Sequence, residues 1–463
     1  MKSYKIERTV LPNGAQVVTD YVPETELVRA ELSFAVGSYH DFIKAETRHN
    51  TAIVEQTHMN GLAHFSEHLI KGGHPTINPE GFDELLADNG LDGGDSQNLG
   101  TSARDTGYWA EGPRQSLTAY FNFISEAIES LAYSRVIHTQ ERGRIVEEMH
   151  GSLNTVSRIE AYTGGQTLFG DQIKGQWLGG LPETLADITL DDIRAHHTRT
   201  HVAENATFFT SGGINHNDAC AWAAKITSRL PRGEKTPVIT ADVHLGSHVI
   251  CAAHPLVQST HSAIGFFGDL SHEPVYPALQ PYFRELGNSL SSDVQKTLGL
   301  YAIWTHGMYI ETMKHTGFII QSQQRPEKAA PAALAATRAA VRAYEKLTPS
   351  RFDALKRQSV ASSLNYATRH WFNLEARLGR LKDAVLSDKD PSTHFKAHER
   401  LERLERAALL KNVETILTSA AFTSYVGPER NDYPDFKMIG HATKALQHHA
   451  HLPVKARVLP PPA

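Results

Sequence analysis

The residues with the strongest potential for chemistry form one short run, His64-Phe65-Ser66-Glu67-His68. On a helix, side chains four residues apart lie on one face, so both imidazoles can reach a single metal ion. Glu67 projects towards the same face, where a carboxylate can accept a proton from metal-bound water. The run therefore predicts a catalytic metal site in which His64 and His68 are ligands and Glu67 is the general base.

A third ligand is expected, because catalytic zinc sites use three protein ligands and keep one position open. The acidic run from Glu141 to Glu148 (ERGRIVEE) offers candidates. Glu141 and Glu148 are separated by close to two helical turns and share a face, whereas Glu147 points about a quarter-turn away. This spacing favours Glu148 as the third ligand and Glu141 as a catalytic support that orients a histidine or the substrate.

Each run taken alone also has an ordinary explanation. The chain contains 26 histidines, and a His-x-x-Glu-His match would arise by chance in roughly one such sequence in ten. A histidine pair on a helix is more often exposed at the surface, or hydrogen-bonded in a core, than bound to metal. A Glu-rich helix segment is more often a solvent-exposed face. The metal site is indicated by the two runs together.

Composition excludes several classes of function. The net charge of -5, without a run of five basic residues, argues against a nucleic-acid-binding surface. Cys220 and Cys251 are too few for a disulfide framework or a cysteine-based zinc site and favour a reducing compartment. The N-terminal residues show no secretory signal, and no apolar run is long enough to span a membrane. We therefore expect a cytoplasmic protein.

The hydrophobic pattern predicts alternating groups of strands and helices, and the pattern of the first half returns in the second. A Pro-, Gly- and charge-rich stretch separates the halves, as linkers do. The predicted domains are residues 1–230 and 248–447, with a linker at 231–247 and a disordered or extended tail at 448–463. Strands are predicted at 15–19, 28–36, 97–110, 206–211 and 261–267, and helices at 61–71, 79–88, 115–132 and 140–153.

Several ordered blocks resemble the pitrilysin and mitochondrial-processing-peptidase family of zinc peptidases. The family's His-x-x-Glu-His motif is followed by a ligand Glu roughly 75 to 80 residues later, and here Glu148 follows His68 by 80 residues. The resemblance covers essentially the whole first half. It is carried by LPNGAQVV (11–18), NGLAHFSEHLIKGG (60–73), ERGRIVEE (141–148) and the stretch from Leu181 to Ile214.

The resemblance implies an endopeptidase that hydrolyses peptides or unfolded polypeptide segments. One Zn2+ per chain would be held by His64, His68 and Glu148, with Glu67 activating the zinc-bound water. It also implies an α+β fold of two homologous domains, each a mostly antiparallel sheet with helices packed on it, that forms one half of a clam-like chamber. The second domain would carry no metal.

The stretch that begins at Asn98 resembles the family's edge strand, which pairs with the substrate backbone. Asn98 and Leu99 are therefore expected to bind substrate, although an ordinary half-buried strand explains these residues equally well. Leu99 replaces the small alanine of the family. An unpaired strand edge beside a metal can hold a peptide extended.

The second half departs from the family in a way that bears on partners. Members that act alone carry an Arg and, seven residues later, a Tyr, where this chain has Gln295 and Ala302. Because glutamine cannot replace the charge of a bidentate arginine, we expect a second subunit, either a metal-free paralogue or another copy of the chain. Two alternatives stay open: a non-catalytic subunit of the same fold, and a zinc-binding module with another hydrolytic role.

Overall fold

The computed structural model describes most of the chain, and every structural statement below concerns these residues. They are 5–41, 46–48, 51–53, 59–91, 96–130, 132–153, 178–180, 182–239, 248–253, 259–270, 276–298, 302–310, 315–369, 371, 373–386, 390–428 and 454–458. They form two compact units. The first unit comprises the described residues within 1–149, 177–240 and 366–396, and the second those within 150–176, 241–365 and 397–463.

Helices and strands alternate in groups along the chain. The helices are α1 (Leu62–Ile70), α2 (Pro79–Asp88), α3 (Arg114–Ser130), α4 (Arg135–Leu153), α5 (Pro182–Asp187), α6 (Leu190–Thr200), α7 (His216–Thr227), α8 (Gln280–Leu298), α9 (Ala329–Glu345), α10 (Pro349–Arg369), α11 (Leu374–Leu386), α12 (Ala397–Arg403) and α13 (Arg406–Ser419). The strands are β1 (Lys5–Val10), β2 (Gln16–Tyr21), β3 (Leu27–Phe34), β4 (Glu46–Arg48), β5 (Thr51–Ile53), β6 (Gln97–Thr101), β7 (Thr106–Pro113), β8 (Ala206–Gly212), β9 (Val238–Ile239), β10 (His248–Ala253), β11 (Thr260–Asp269), β12 (Ala302–Ile310), β13 (His315–Gln324), β14 (Ala420–Gly427) and β15 (Val454–Val458).

The first unit is built on a six-stranded sheet in the order β1-β2-β8-β3-β7-β6. Neighbouring strands are antiparallel except β2 and β8, which are parallel. Side chains alternate between the two faces of a strand, and on β3 one set is apolar and belongs to the buried core with α3 and α7. The other set on β3 is Arg29, Glu31 and Ser33, so the second face of this sheet is polar although it is buried.

That polar face is covered by α11, which comes from late in the chain. Arg377 forms two short contacts with Asp20, at 2.5 and 2.6 Å, and Lys382 reaches Glu31 at 2.6 Å. Apolar residues of α11 also pack against Val18 and Phe209. The sequence analysis assigned this helix to the second domain, whereas it packs with the first unit; the boundaries predicted at 230 and 248 stay a prediction.

The second unit repeats the topology of the first. Its sheet has the order β15-β10-β14-β11-β13-β12, in which β10 and β14 are parallel and β14, β11, β13 and β12 are antiparallel in turn. The last strand, β15, lies parallel to β10, whereas its counterpart β1 is antiparallel to β2. The predicted α+β class with two homologous, mostly antiparallel domains is confirmed. The clam-like chamber stays a prediction.

Local predictions differ from the structure in three places. The segment 97–110 forms a hairpin of β6 and β7 instead of one strand, because Ser102 and Asp105 close a turn through backbone and side-chain hydrogen bonds. Helix α4 begins five residues earlier than the predicted 140. Part of the predicted linker forms β9, which pairs with β5. No helix in the described part of the chain combines the length and apolarity needed to cross a membrane.

Candidate metal centre

The helix that carries His64 and His68 is fixed at its start by a carboxylate from elsewhere in the chain. Gly61 precedes α1 with a φ of 95°, a left-handed conformation that favours glycine. The buried carboxylate of Asp41 accepts hydrogen bonds from the backbone N–H groups of Gly61 and Ala63, both at 2.7 Å. It therefore caps α1 and satisfies N–H groups that a helix start leaves without partners.

Helix α4 lies against α1 through an apolar contact. Phe65 and Leu69 of α1 belong to one buried cluster with Ile145 and Met149 of α4. Three of them directly follow a predicted ligand in the sequence: Phe65 follows His64, Leu69 follows His68 and Met149 follows Glu148. The packing therefore turns the polar faces of α1 and α4 towards each other.

The three predicted ligands converge. The Nε2 atoms of His64 and His68 are 3.3 Å apart, and the Oε2 atom of Glu148 lies 3.7 Å from the first and 3.5 Å from the second. Zinc bonds of about 2.0 to 2.2 Å in a tetrahedral arrangement place neighbouring ligand atoms roughly 3.3 to 3.5 Å apart. The triangle formed by the two imidazoles and the carboxylate thus fits a single zinc ion.

Glu67 and Glu141 both lie beside this triangle, but they contact different nitrogens of the two histidines. An oxygen of Glu67 is 3.9 Å from Nε2 of His64 and accepts a 3.3 Å hydrogen bond from the hydroxyl of Thr101. Glu141 contacts the far nitrogen of His68, Nδ1, at 3.3 Å, which leaves Nε2 of His68 directed at the triangle. Glu141 is therefore placed to orient a ligand, and Glu67 to act next to the ion.

Burial and charge set the protonation of these groups. Burial, followed by the charge of His68, lowers the pKa of His64 to about 4, so this imidazole is neutral at pH 7. Burial alone would lower the pKa of His68, but hydrogen bonds to Glu141 and Glu148 raise it to about 9. The carboxylates thus favour a positive charge at the place where a metal ion would supply one. Burial also raises the pKa of Glu67 to about 7.

The predicted substrate-binding residues lie on the strand next to this centre. Strand β6 is the last strand of the first sheet. The side chain of Asn98 is exposed, that of Leu99 packs partly against the core, and the carbonyl of Asn98 accepts a 3.0 Å hydrogen bond from Tyr120. The same strand carries Thr101, a neighbour of Glu67 that the sequence analysis missed. The substrate-binding role of Asn98 and Leu99 stays a prediction.

Gln295 and Ala302, which stand where family members that act alone have an Arg and a Tyr, lie in the second half of the chain, far in sequence from His64 and His68. Gln295 falls in α8 and Ala302 is the first residue of β12. Their side chains are outside the described part of the structure. Their consequence for a partner subunit therefore stays a prediction from the sequence.

Comparison with known proteins identifies the relatives of the chain. Residues 187–359 match the family model described as the peptidase M16 inactive domain. Mitochondrial-processing peptidase subunit beta of Saccharomyces cerevisiae is 24% identical over 271 residues, which are 58% of this chain and 54% of the yeast protein. An uncharacterized zinc protease of Rickettsia felis is 23% identical over 322 residues, 66% of this chain and 70% of that protein.

The fold also matches a solved structure. The periplasmic protease PqqL of Escherichia coli aligns with 97% of this chain and 51% of its own chain, with a TM-score of 0.77 and 18% sequence identity. The chain spans about half the length of PqqL and of the yeast subunit that it matches. Together with the motif blocks, these matches confirm the resemblance found in the sequence. The chain therefore resembles members of the peptidase M16 family in sequence and in fold.

Proposed function

We propose that this chain is a zinc-dependent endopeptidase acting on peptides or unfolded polypeptide segments. The observation that carries the proposal is the triangle of ligand atoms from His64, His68 and Glu148, with the carboxylate of Glu67 beside it. Relatives named zinc proteases support the same chemistry. A zinc ion held there would polarise the scissile carbonyl and acidify a water molecule.

The remaining chemistry belongs to the residues of the chain. Glu67 has a pKa of about 7, which suits a group that must accept a proton and release it again near neutral pH. Its Oε2 atom would take the proton from the attacking water and return it to the leaving amine. Thr101 holds that carboxylate by its hydroxyl, and Glu141 fixes the ring of His68.

Strand β6 supplies a way to hold the substrate. A peptide that added to this edge would run extended beside Glu67, because Thr101 of the same strand contacts that residue. Backbone groups of Asn98 and Leu99 would make the hydrogen bonds, so recognition would depend on the peptide backbone more than on its side chains.

A second subunit is part of the proposal. Gln295 and Ala302 stand where family members that act alone have an Arg and a Tyr, and the yeast relative is named a subunit. We expect a paralogue or a second copy of the chain to supply those groups. Peptide cleavage should be measured for the chain alone and with a co-expressed metal-free paralogue; full activity of a monomeric chain would contradict this part of the proposal. A cytoplasmic location likewise stays a prediction.

The alternative is a non-catalytic subunit of the same fold. The description of the matching family model as an inactive domain favours it. The match, however, covers residues 187–359 and leaves out the whole stretch from His64 to Glu148. Since all four motif residues are present and three converge, the enzyme is the better-supported function.

The experiment that separates these functions combines zinc analysis with a peptide assay. We expect the wild-type chain, with its partner where one is needed, to contain one zinc ion and to cleave a quenched peptide, and a chelator to stop cleavage. Glu67→Gln should keep the zinc and lower kcat by about 10²- to 10⁴-fold. Glu147→Gln, an exposed neighbour on α4, serves as the control. A zinc-loaded Glu67→Gln variant with wild-type activity would refute the role of Glu67.

A further inference from the structure

The turn between β6 and β7 is the part of the first sheet that reaches the proposed general base. Thr101, the last residue of β6, donates a 3.3 Å hydrogen bond from its hydroxyl to Glu67. Ser102 and Asp105 close the turn. The backbone N–H of Ser102 donates to the carbonyl of Asp105 at 2.7 Å, and that of Asp105 donates to Oγ of Ser102 at 3.1 Å. The position of this turn therefore sets the position of the Thr101 hydroxyl.

A short segment ahead of the metal helix holds the turn from one side. The backbone N–H of Ser38 donates to the carbonyl of Ser102 at 3.0 Å, and a Cβ atom added to Gly37 would lie 2.2 Å from that same oxygen. Asp41, at the end of the segment, caps α1 through two 2.7 Å hydrogen bonds. The segment 37–41 thus ties the turn to the helix that carries the motif.

Lys382 of α11 holds the turn from the covered face of the sheet. Its Nζ atom lies 2.5 Å from Oδ2 of Asp105 and 2.6 Å from Oε1 of Glu31. Ser33 also donates to Asp105, at 3.2 Å. Both carboxyl side chains are almost fully buried, and two buried negative charges that contact one atom require a cation between them. Lys382 is therefore a buried anchor of the turn.

The neighbouring strand leaves room for this anchor. A Cβ atom added to Gly107 of β7 would lie 2.2 Å from Oε1 of Glu31 and 3.4 Å from Nζ of Lys382, so a side chain at this position would displace the ion pair. Burial lowers the pKa of Lys382, but the charges of Glu31 and Asp105 raise it above its ordinary value. The ammonium group therefore stays charged at neutral pH.

We propose that Lys382 is a positioning residue of the peptidase site: by anchoring Asp105, it fixes the turn that carries Thr101. The Thr101 hydroxyl then stays on the carboxylate of Glu67. The turn has two anchors, the segment 37–41 on the side of α1 and Lys382 on the side of α11, and loss of the second lets the turn move relative to Glu67. The inference rests on the peptidase function proposed above.

The kinetic test separates this role from a general loss of stability. Lys382→Met alone leaves two buried carboxylates without their cation and should destabilise the fold. Lys382→Met combined with Glu31→Gln removes one positive and one negative charge, so its stability should recover. We expect this double variant, with the partner subunit where one is needed, to bind zinc with wild-type affinity but to keep kcat lowered by about 10- to 100-fold, because small displacements in a catalytic site have effects of this size.

The matched control is Glu375→Gln on the same helix. Glu375 is 73% exposed and contacts Arg29 of β3, so its replacement should change neither zinc affinity nor kcat. If kcat of the double variant returned to the wild-type value together with its stability, Lys382 would act on stability alone and the proposal would be overturned.

A measurement on the metal-free chain tests the link without activity. In methyl NMR of threonine-labelled protein, the signal of Thr101, assigned from its loss in Thr101→Val, should shift in the double variant and stay in place in Glu375→Gln. An unchanged signal in the double variant would contradict the link between Lys382 and Thr101. A zinc-loaded wild-type chain that cleaves no peptide, alone or with its partner, would instead refute the proposed function, so the two failures are distinguishable.

Discussion

The two units share one strand order but join their helices by different chemistry. In the first unit, α1 meets α4 through His64, His68 and two glutamates. In the second unit, α8 meets α10 through a 2.6 Å ion pair between Glu285 and Arg351. In the contact between α8 and α10, the positive charge of Arg351 neutralises the negative charge of Glu285.

The first contact does not balance its charge in the same way. The carboxylates of Glu141 and Glu148 lie beside one neutral imidazole and one that holds a proton. Glu67, with a pKa of about 7, adds part of a negative charge, and Arg144 pairs with Glu141 from an exposed position. A metal cation would balance the remaining charge. If the proposed zinc site is occupied, a repeated fold joins its helices by an ion pair in one copy and by a metal ion in the other.

The first unit also contains an ion pair whose two charges both come from the protein, between Arg377 and Asp20. Among the predictions, the largest loss of stability is expected when Arg377 is removed. Arg377 and Asp20 are both almost fully buried, and removing one partner of a buried ion pair costs about 3 to 5 kcal/mol. Arg377→Ala should lower the free energy of unfolding by this amount in urea titration, with and without zinc. Arg380→Ala, which removes a partly exposed side chain that contacts the ring of Tyr366, should cost about 1 kcal/mol or less. Equal costs would contradict the account.

Replacing the proposed ligand Glu148 should weaken zinc binding, an effect that we expect only for substitutions in the metal centre of the first unit. Glu148→Gln replaces a charged ligand atom by a neutral one and should weaken zinc binding by about 100-fold or more, beyond the usual effect of an outer partner. Glu147→Gln, the exposed neighbour on the same helix, should leave zinc affinity unchanged. Isothermal calorimetry of the two variants gives the comparison. Equal affinities would exclude Glu148 as a ligand.

Acid should destabilise the first unit before the second. The first unit buries His196, His197 and His201, and burial lowers the pKa of His197 to about 3 and those of the other two well below the usual value. Among the residues of the second unit whose side chains the structure describes, no histidine is buried. The native imidazoles are neutral and the unfolded ones bind protons below about pH 6.5. Their stabilisation is therefore complete above about pH 6.5 and is lost as the pH falls towards 3, by about 1.4 kcal/mol per pH unit for each imidazole.

Hydrogen exchange followed by mass spectrometry resolves this order. Peptides from α6 should lose protection at a higher pH than peptides from α9, as the pH is lowered from 7 to 4. Simultaneous loss in both helices would count against a specific role of the buried imidazoles.

The smallest loss of stability is expected when the ion pair between Glu285 and Arg351 of the second unit is broken. Arg351 is 42% exposed, so its pairing with Glu285 is partly screened by water. Glu285→Gln should therefore lower the free energy of unfolding by about 1 kcal/mol and leave zinc affinity unchanged. A clear loss of zinc in this variant would remove the distinction between the two contacts.

The sequence predicted the parts of the site that are set by local spacing. His64, Glu67 and His68 lie within five consecutive residues of one helix. Glu141 and Glu148 share a face of another helix. The helical period of 3.6 residues was therefore enough to select all five as candidates. Helix α2 was predicted with its full bounds, because Asn78 and Pro79 mark its start.

Residues that act through contacts distant in sequence could not be found in this way. Asp41 caps α1 from 20 residues upstream, and Thr101 reaches Glu67 from a separate strand. Neither position has a periodic signal. The place of α11 was missed for the same reason: its charged residues look solvated in sequence, and only the sheet shows that Asp20 and Glu31 are buried beneath them.

X-ray absorption at the zinc edge of the purified, zinc-loaded chain would test the proposed metal centre directly. We expect one zinc ion with two imidazole ligands and oxygen ligands at about 2.0 to 2.2 Å, and the loss of one imidazole from the spectrum of His64→Ala. Zinc bound without imidazole ligands, or a chain that retains no zinc, would contradict the proposed metal centre.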